Sequence, residues 1–87
     1  DAMESPKEHN PTPLARAVSA EVRAEMARHQ PTITGIQLAG MIGMSQNYLA
    51  KRLRDETPLD LDDLDAISNA LGVPFDVLMH RAIDGLS

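Results

Sequence analysis

Residues 33–54 read Ile33-Thr-Gly-Ile-Gln-Leu-Ala-Gly-Met-Ile-Gly-Met-Ser-Gln-Asn-Tyr-Leu-Ala-Lys-Arg-Leu-Arg54. Thr34 with Gln37 three positions later has capping-box spacing, so a short helix is expected to start there and carry Ile36, Leu38, Ala39 and Ile42 into a core. Gly43 suits a left-handed helix end, and Ser45 suits the N-cap of a second helix. Two short helices therefore meet at a sharp corner. Ala39 fits the point where they come closest, because a larger side chain would push their axes apart, and Gly40 crowds nothing beside it. If the second helix spans about 46–54, Leu49 and Leu53 lie one turn apart and face inward, partly joined by Tyr48. Gln46, Asn47, Lys51, Arg52 and Arg54 are left outside.

Helices joined across so short a corner containing glycine form a helix-turn-helix unit, whose second helix can lie in a DNA major groove. The outward face fits that use. Amides can bond adenine bidentately, Lys and Arg suit guanine or phosphate, and no acid appears before Asp55. The alternative for any such stripe is the solvated side of an amphipathic helix. Corner, spacing, the small residue at the crossing and the missing acid together favour the first.

The pattern Gln37-Leu38-Ala39, Ile42-Gly43-Met44-Ser45 and Tyr48-Leu49, followed by Leu64, Ile67 and Ala70-Leu71-Gly72-Val73, resembles the Cro/Xre-type helix-turn-helix family of phage repressors and bacterial regulators. The resemblance covers roughly residues 14–82. It implies an all-α, compact five-helix, lambda-repressor-like DNA-binding domain over residues 14–87, with the helix-turn-helix at about 34–54. It also implies that the first, second and sixth or so residues of the recognition helix read bases, here Gln46, Asn47 and Lys51. Thr34, Ser45, Tyr48, Arg52, Arg54 and the loop residue Thr57 are the expected backbone contacts. The chain departs from the family in two places. Gly35 stands where many members have Gln or Arg, weakening a family-like phosphate contact. Leu53 stands where many have an acid, implying a shifted core register that exposes Arg52.

Eighty-seven residues make one small domain, and 43% hydrophobic but 2% aromatic residues make its core aliphatic. With no cysteine, a disulfide framework and a thiolate metal site are excluded. No run approaches membrane-spanning length and no charged-then-apolar leader opens the chain, so a cytoplasmic location is expected. The net charge of -5 opposes a nucleic-acid partner until its distribution is considered. Residues 14–54 carry +4, whereas Asp55 onward carries -7, which reads as a basic front and an acidic back. Weak non-specific DNA binding by a monomer follows, with function leaning on a dimer or on base contacts.

From the N-terminus, residues 1–13 read as a flexible arm containing Pro6, Pro11 and Pro13, with Asp1 and Ala2 a remnant ahead of a native Met3. Thr12-Pro13 opens a helix burying Leu14, Val18, Val22 and Met26, which Gln30-Pro31 ends. Beyond the corner, Pro58 blocks helix continuation. Asp60 then caps a fourth helix with Leu61, Leu64, Ile67 and Leu71 inward; Asp62 and Asp63 complement its dipole, and Gly72 closes it. Val73-Pro74 opens a fifth helix offering Phe75, Leu78 and Met79 to the core. Val77, Ile83 and Leu86 are left over, either covering the core's base or forming a patch for a homodimer. The end at Ser87 would also suit a domain cut from a longer repressor that dimerises elsewhere.

Catalytic chemistry is not legible. His9, His29 and His80 share no ligand spacing, the acids at 60–65 lack the glycine and terminal Glu of a calcium loop, and Ser19, Ser45 and Ser68 have no histidine partner. No cofactor, metal or membrane partner is expected, and no enzyme activity. The expected function is sequence-specific binding of double-stranded DNA by a transcriptional repressor of phage or bacterial type. The alternative keeps the fold as a protein-interaction module, an antitoxin or a subunit of a larger regulatory complex.

Overall fold

Thr12 opens the first helix with its side-chain oxygen accepting from the Ala15 amide, and Pro13 fills a first-turn position where its missing N–H costs nothing. In the computed structural model, which describes residues 11–86, five helices follow in order. They are α1 (Pro13–Arg28), α2 (Gly35–Ile42), α3 (Gln46–Leu53), α4 (Leu61–Leu71) and α5 (Phe75–Asp84). No strand occurs among the described residues, so the expected all-α five-helix architecture is the one observed. Residues 11–13, assigned by composition to the arm, belong to the folded unit: Pro11 is buried, Thr12 caps α1 and Pro13 is its first residue. The rest of the expected arm, residues 1–10, lies outside the described residues.

The core is one aliphatic cluster to which every helix contributes. Val18, Val22 and Met26 come from α1, Leu38 and Ala39 from α2, and Leu49 and Leu53 from α3. Leu64, Ile67 and Leu71 of α4, Val73, and Leu78 and Ala82 of α5 complete it. Packing joins α1 to α3, α4 and α5, and α2 to α3 and α4.

Three residues expected in the core lie outside it: Leu14 is 40% exposed, Ile36 66% and Leu61 71%. Each occupies one of the first two positions of its helix. Helical side chains lean toward the N-terminus, so an apolar residue there projects past the helix end instead of onto the neighbouring element. Periodicity alone places such a residue on the right stripe but cannot tell that the stripe has run out of partner.

Candidate nucleic-acid interface

The corner between α2 and α3 is fixed by backbone chemistry. Thr34 and Gln37 form the reciprocal capping box, with Gln37 N–H donating to Thr34 Oγ1 at 3.1 Å and Thr34 N–H to Gln37 Oε1 at 2.9 Å. At the other end Gly43 takes φ 68°, and Met44 N–H donates to the Ala39 carbonyl at 2.9 Å. Ser45 then caps α3, its Oγ accepting from Tyr48 N–H at 3.0 Å. Leu49 and Leu53 pin α3 to the core, leaving Gln46, Asn47, Lys51 and Arg54 exposed. The side chains of Gln46, Asn47 and Lys51 make no hydrogen bond or ion pair among the described residues.

Tyr48 and Arg52 are placed differently from the sequence expectation. The Tyr48 hydroxyl lies 3.0 and 3.2 Å from the two carboxylate oxygens of Asp63, at the start of α4, and donates to them. That bond keeps the phenol protonated to higher pH than usual. The Arg52 guanidinium stacks over the Tyr48 ring, 3.4 Å from its centre, and donates to the Tyr48 carbonyl at 3.2 Å. Its Nε is buried without a hydrogen bond, 3.7 Å from Asp63 Oδ2. Arg52 is therefore half-buried, not exposed: Leu53 holds the core position and Tyr48 and Asp63 supply a ledge for the guanidinium.

The far end of α3 is latched to α1. Arg23 donates to the Leu53 carbonyl, and buried Ser19 donates to the Asp55 carboxylate. Asp55 takes a left-handed conformation, φ 64°, and Glu56 N–H closes the turn onto the Lys51 carbonyl at 2.9 Å. Ser19, Arg23, Asp55 and Asp63 thus set the pose of α3, a role not read from the sequence. For Ser19 a signal existed, since it falls between Val18 and Val22 on the buried stripe and a polar residue there needs a partner. Arg23 and Asp55 are too far apart in sequence for local spacing to pair them.

These contacts also revise the picture of a basic front. Arg28 pairs with Glu21 and Glu25 at 2.9 and 2.7 Å, Arg54 with Glu56 at 2.8 Å, and Arg23 approaches Asp55 at 3.9 Å. Among the described residues, Arg16 and Lys51 are the Lys and Arg side chains outside any ion pair. The regional charge of +4 is largely matched in place, and the unmatched positive charge of α3 is concentrated at Lys51.

Of the expected backbone contacts, Thr34 and Ser45 use an oxygen lone pair in capping and keep a hydroxyl hydrogen to donate. Both are exposed at the start of their helices, while Thr57 is half-buried in the α3–α4 connection. No group of three or more His, Cys, Asp or Glu side chains gathers as metal ligands among the described residues. No described helix is long and apolar enough to cross a membrane.

Comparison with known proteins places this geometry in a family. The chain is similar to the clp gene regulator ClgR from C. glutamicum in its crystal structure, with a TM-score of 0.75 and 23% identity, covering 85% of this chain and 94% of that one. That likeness shows the fold. No curated protein matches the sequence. The family model described as helix-turn-helix matches residues 25–78, from the last turn of α1 into α5 and across the whole corner. The chain accordingly belongs to the Cro/C1-type helix-turn-helix family, a family of DNA-binding transcriptional regulators.

Proposed function

We propose that this protein is a sequence-specific transcriptional repressor of phage or bacterial type, acting in the cytoplasm, with α3 lying in the major groove of double-stranded DNA. The observation that carries the reading is the exposed face of α3: Gln46, Asn47 and Lys51 stand in solvent with no side-chain partner among the described residues, on a helix fixed at both ends. Gln46 and Asn47 contact base edges. Lys51 reaches a base or the adjacent phosphate. Thr34, Ser45, Arg54 and Thr57 hold the DNA backbone. Tyr48 and Arg52 act chiefly by orienting α3, since Asp63 engages both. A homodimer presents two such helices about one DNA turn apart on an inverted repeat, joined through the exposed Ile83 and Leu86 at the end of α5 or through a further C-terminal domain.

The test is selection of bound sequences from random duplex DNA. Gln46→Ala and Asn47→Ala are expected to change the preferred sequence, whereas Arg54→Ala weakens all sequences alike. An unchanged preference in the first two moves readout off α3. The second reading, a protein-interaction module such as an antitoxin or a subunit of a larger complex, draws on the ion pairing of most of the arginines and on that exposed apolar end. Absence of salt-dependent affinity for any duplex would favour it.

A further inference from the structure

Ile36 is two-thirds exposed, yet it is not isolated on the surface. It lines an open cleft between the N-terminal ends of α2 and α3, together with Thr34, Gly35, Gln46, Asn47 and Ala50. Ala50 lies one turn beyond Gln46 and Asn47 and shares their side of α3. None of the six lining residues is charged, and Ile36 and Ala50 give the cleft two apolar walls, with Thr34 at its outer edge. Gly35 has no side chain to screen the mouth, and a Cβ placed there would meet nothing within 4 Å. The result is an apolar wall held in water directly beside two amides that the proposed function assigns to base edges.

On the major-groove edge of DNA the base pairs offer hydrogen-bond donors, acceptors and one apolar group, the 5-methyl of thymine. An uncharged cleft with apolar walls and an amide rim is complementary to that group. We infer that the cleft between α2 and α3 receives the 5-methyl of a thymine, with Ile36 and Ala50 as its walls, making Ile36 a specificity-determining residue outside the recognition helix. The inference rests on the DNA-reading function proposed above and names one base that function must read. Gln46 and Asn47 hold the neighbouring edge by hydrogen bonds, while Ile36 distinguishes thymine from cytosine or uracil through the methyl alone.

The test uses duplexes selected from a random pool by the wild-type protein, with each thymine replaced singly by deoxyuridine. Wild type is expected to lose roughly fourfold in affinity at one position per half-site, the effect of removing one buried methyl contact. Ile36→Ala should melt as wild type does, bind the unsubstituted duplex more weakly, and lose this thymine-to-uracil difference, while Ile36→Val retains it. Wild-type indifference to every replacement overturns the inference, as does discrimination that survives in Ile36→Ala, which would seat the methyl against another residue. Failure of the wild type to select any sequence overturns the DNA-reading proposal itself, and this inference with it.

Discussion

Asp63 does three things with one carboxylate. It completes the capping box of α4, accepts the Tyr48 hydroxyl, and faces the Arg52 guanidinium. Tyr48 is the only tyrosine in the chain and there is no tryptophan, so phenolate absorbance reports this contact alone. Tyr48 should titrate above the ordinary value of about 10. Because the folded state raises this pKa, the stability it contributes is present below the unfolded value and is lost as pH rises through the folded one. In Asp63→Asn the titration should fall back toward the ordinary value, with the loss of about 1–3 kcal/mol in denaturant unfolding expected when a buried charged acceptor is removed. An unshifted wild-type titration would refute the Tyr48–Asp63 bond. The amide and lysine face of α3 was legible from spacing because it depends only on which side of a helix a residue occupies. The Tyr48–Arg52–Asp63 group was not, since Asp63 is fifteen residues beyond Tyr48 and has a sufficient local reason, capping, for being acidic.

The helix ends were the most legible elements. Thr34, Gly43, Ser45, Asp60 and Gly72 each act within four residues of themselves, and each stands where its local chemistry predicts. Gly43 and Gly72 take φ 68° and 74° with open space where a Cβ would go, so Gly43→Ala should cost about 1–2 kcal/mol from conformation alone, measurable by thermal melting. What spacing could not supply was the bearing of one helix against another. The α1 latch on α3 joins Ser19 to Asp55 and Arg23 to Leu53, contacts 36 and 30 residues apart in sequence. Substituting Asp55→Ala should therefore lower DNA affinity several-fold while leaving the preferred sequence intact, because it loosens the pose of α3 without touching Gln46, Asn47 and Lys51, the groups proposed to read. A changed preference in a selection experiment would place Asp55 at the DNA instead.

For the molecule as a whole, a net charge of -5 and the pairing of most arginines predict a shallow salt dependence. Each phosphate neutralised contributes about 0.9 to the slope of log affinity against log salt, so a chain relying on Lys51 and few other cations should show a slope of roughly two to three per subunit. Lys51→Ala should reduce it by about one. A much steeper wild-type slope would mean that the arginine pairs open on DNA. The close association of α1 with α5 carries a different consequence. Val18 and Val22 share the buried cluster with Leu78 and Ala82, and Arg81 reaches back to Glu25 at 3.2 Å. A ribosome delivers α2 and α3 well before α5, so the helix-turn-helix corner is synthesised before the platform that steadies it. Nascent chains halted at Gly72 should remain protease-sensitive throughout, and resistance should arrive in one step once the fifth helix has emerged.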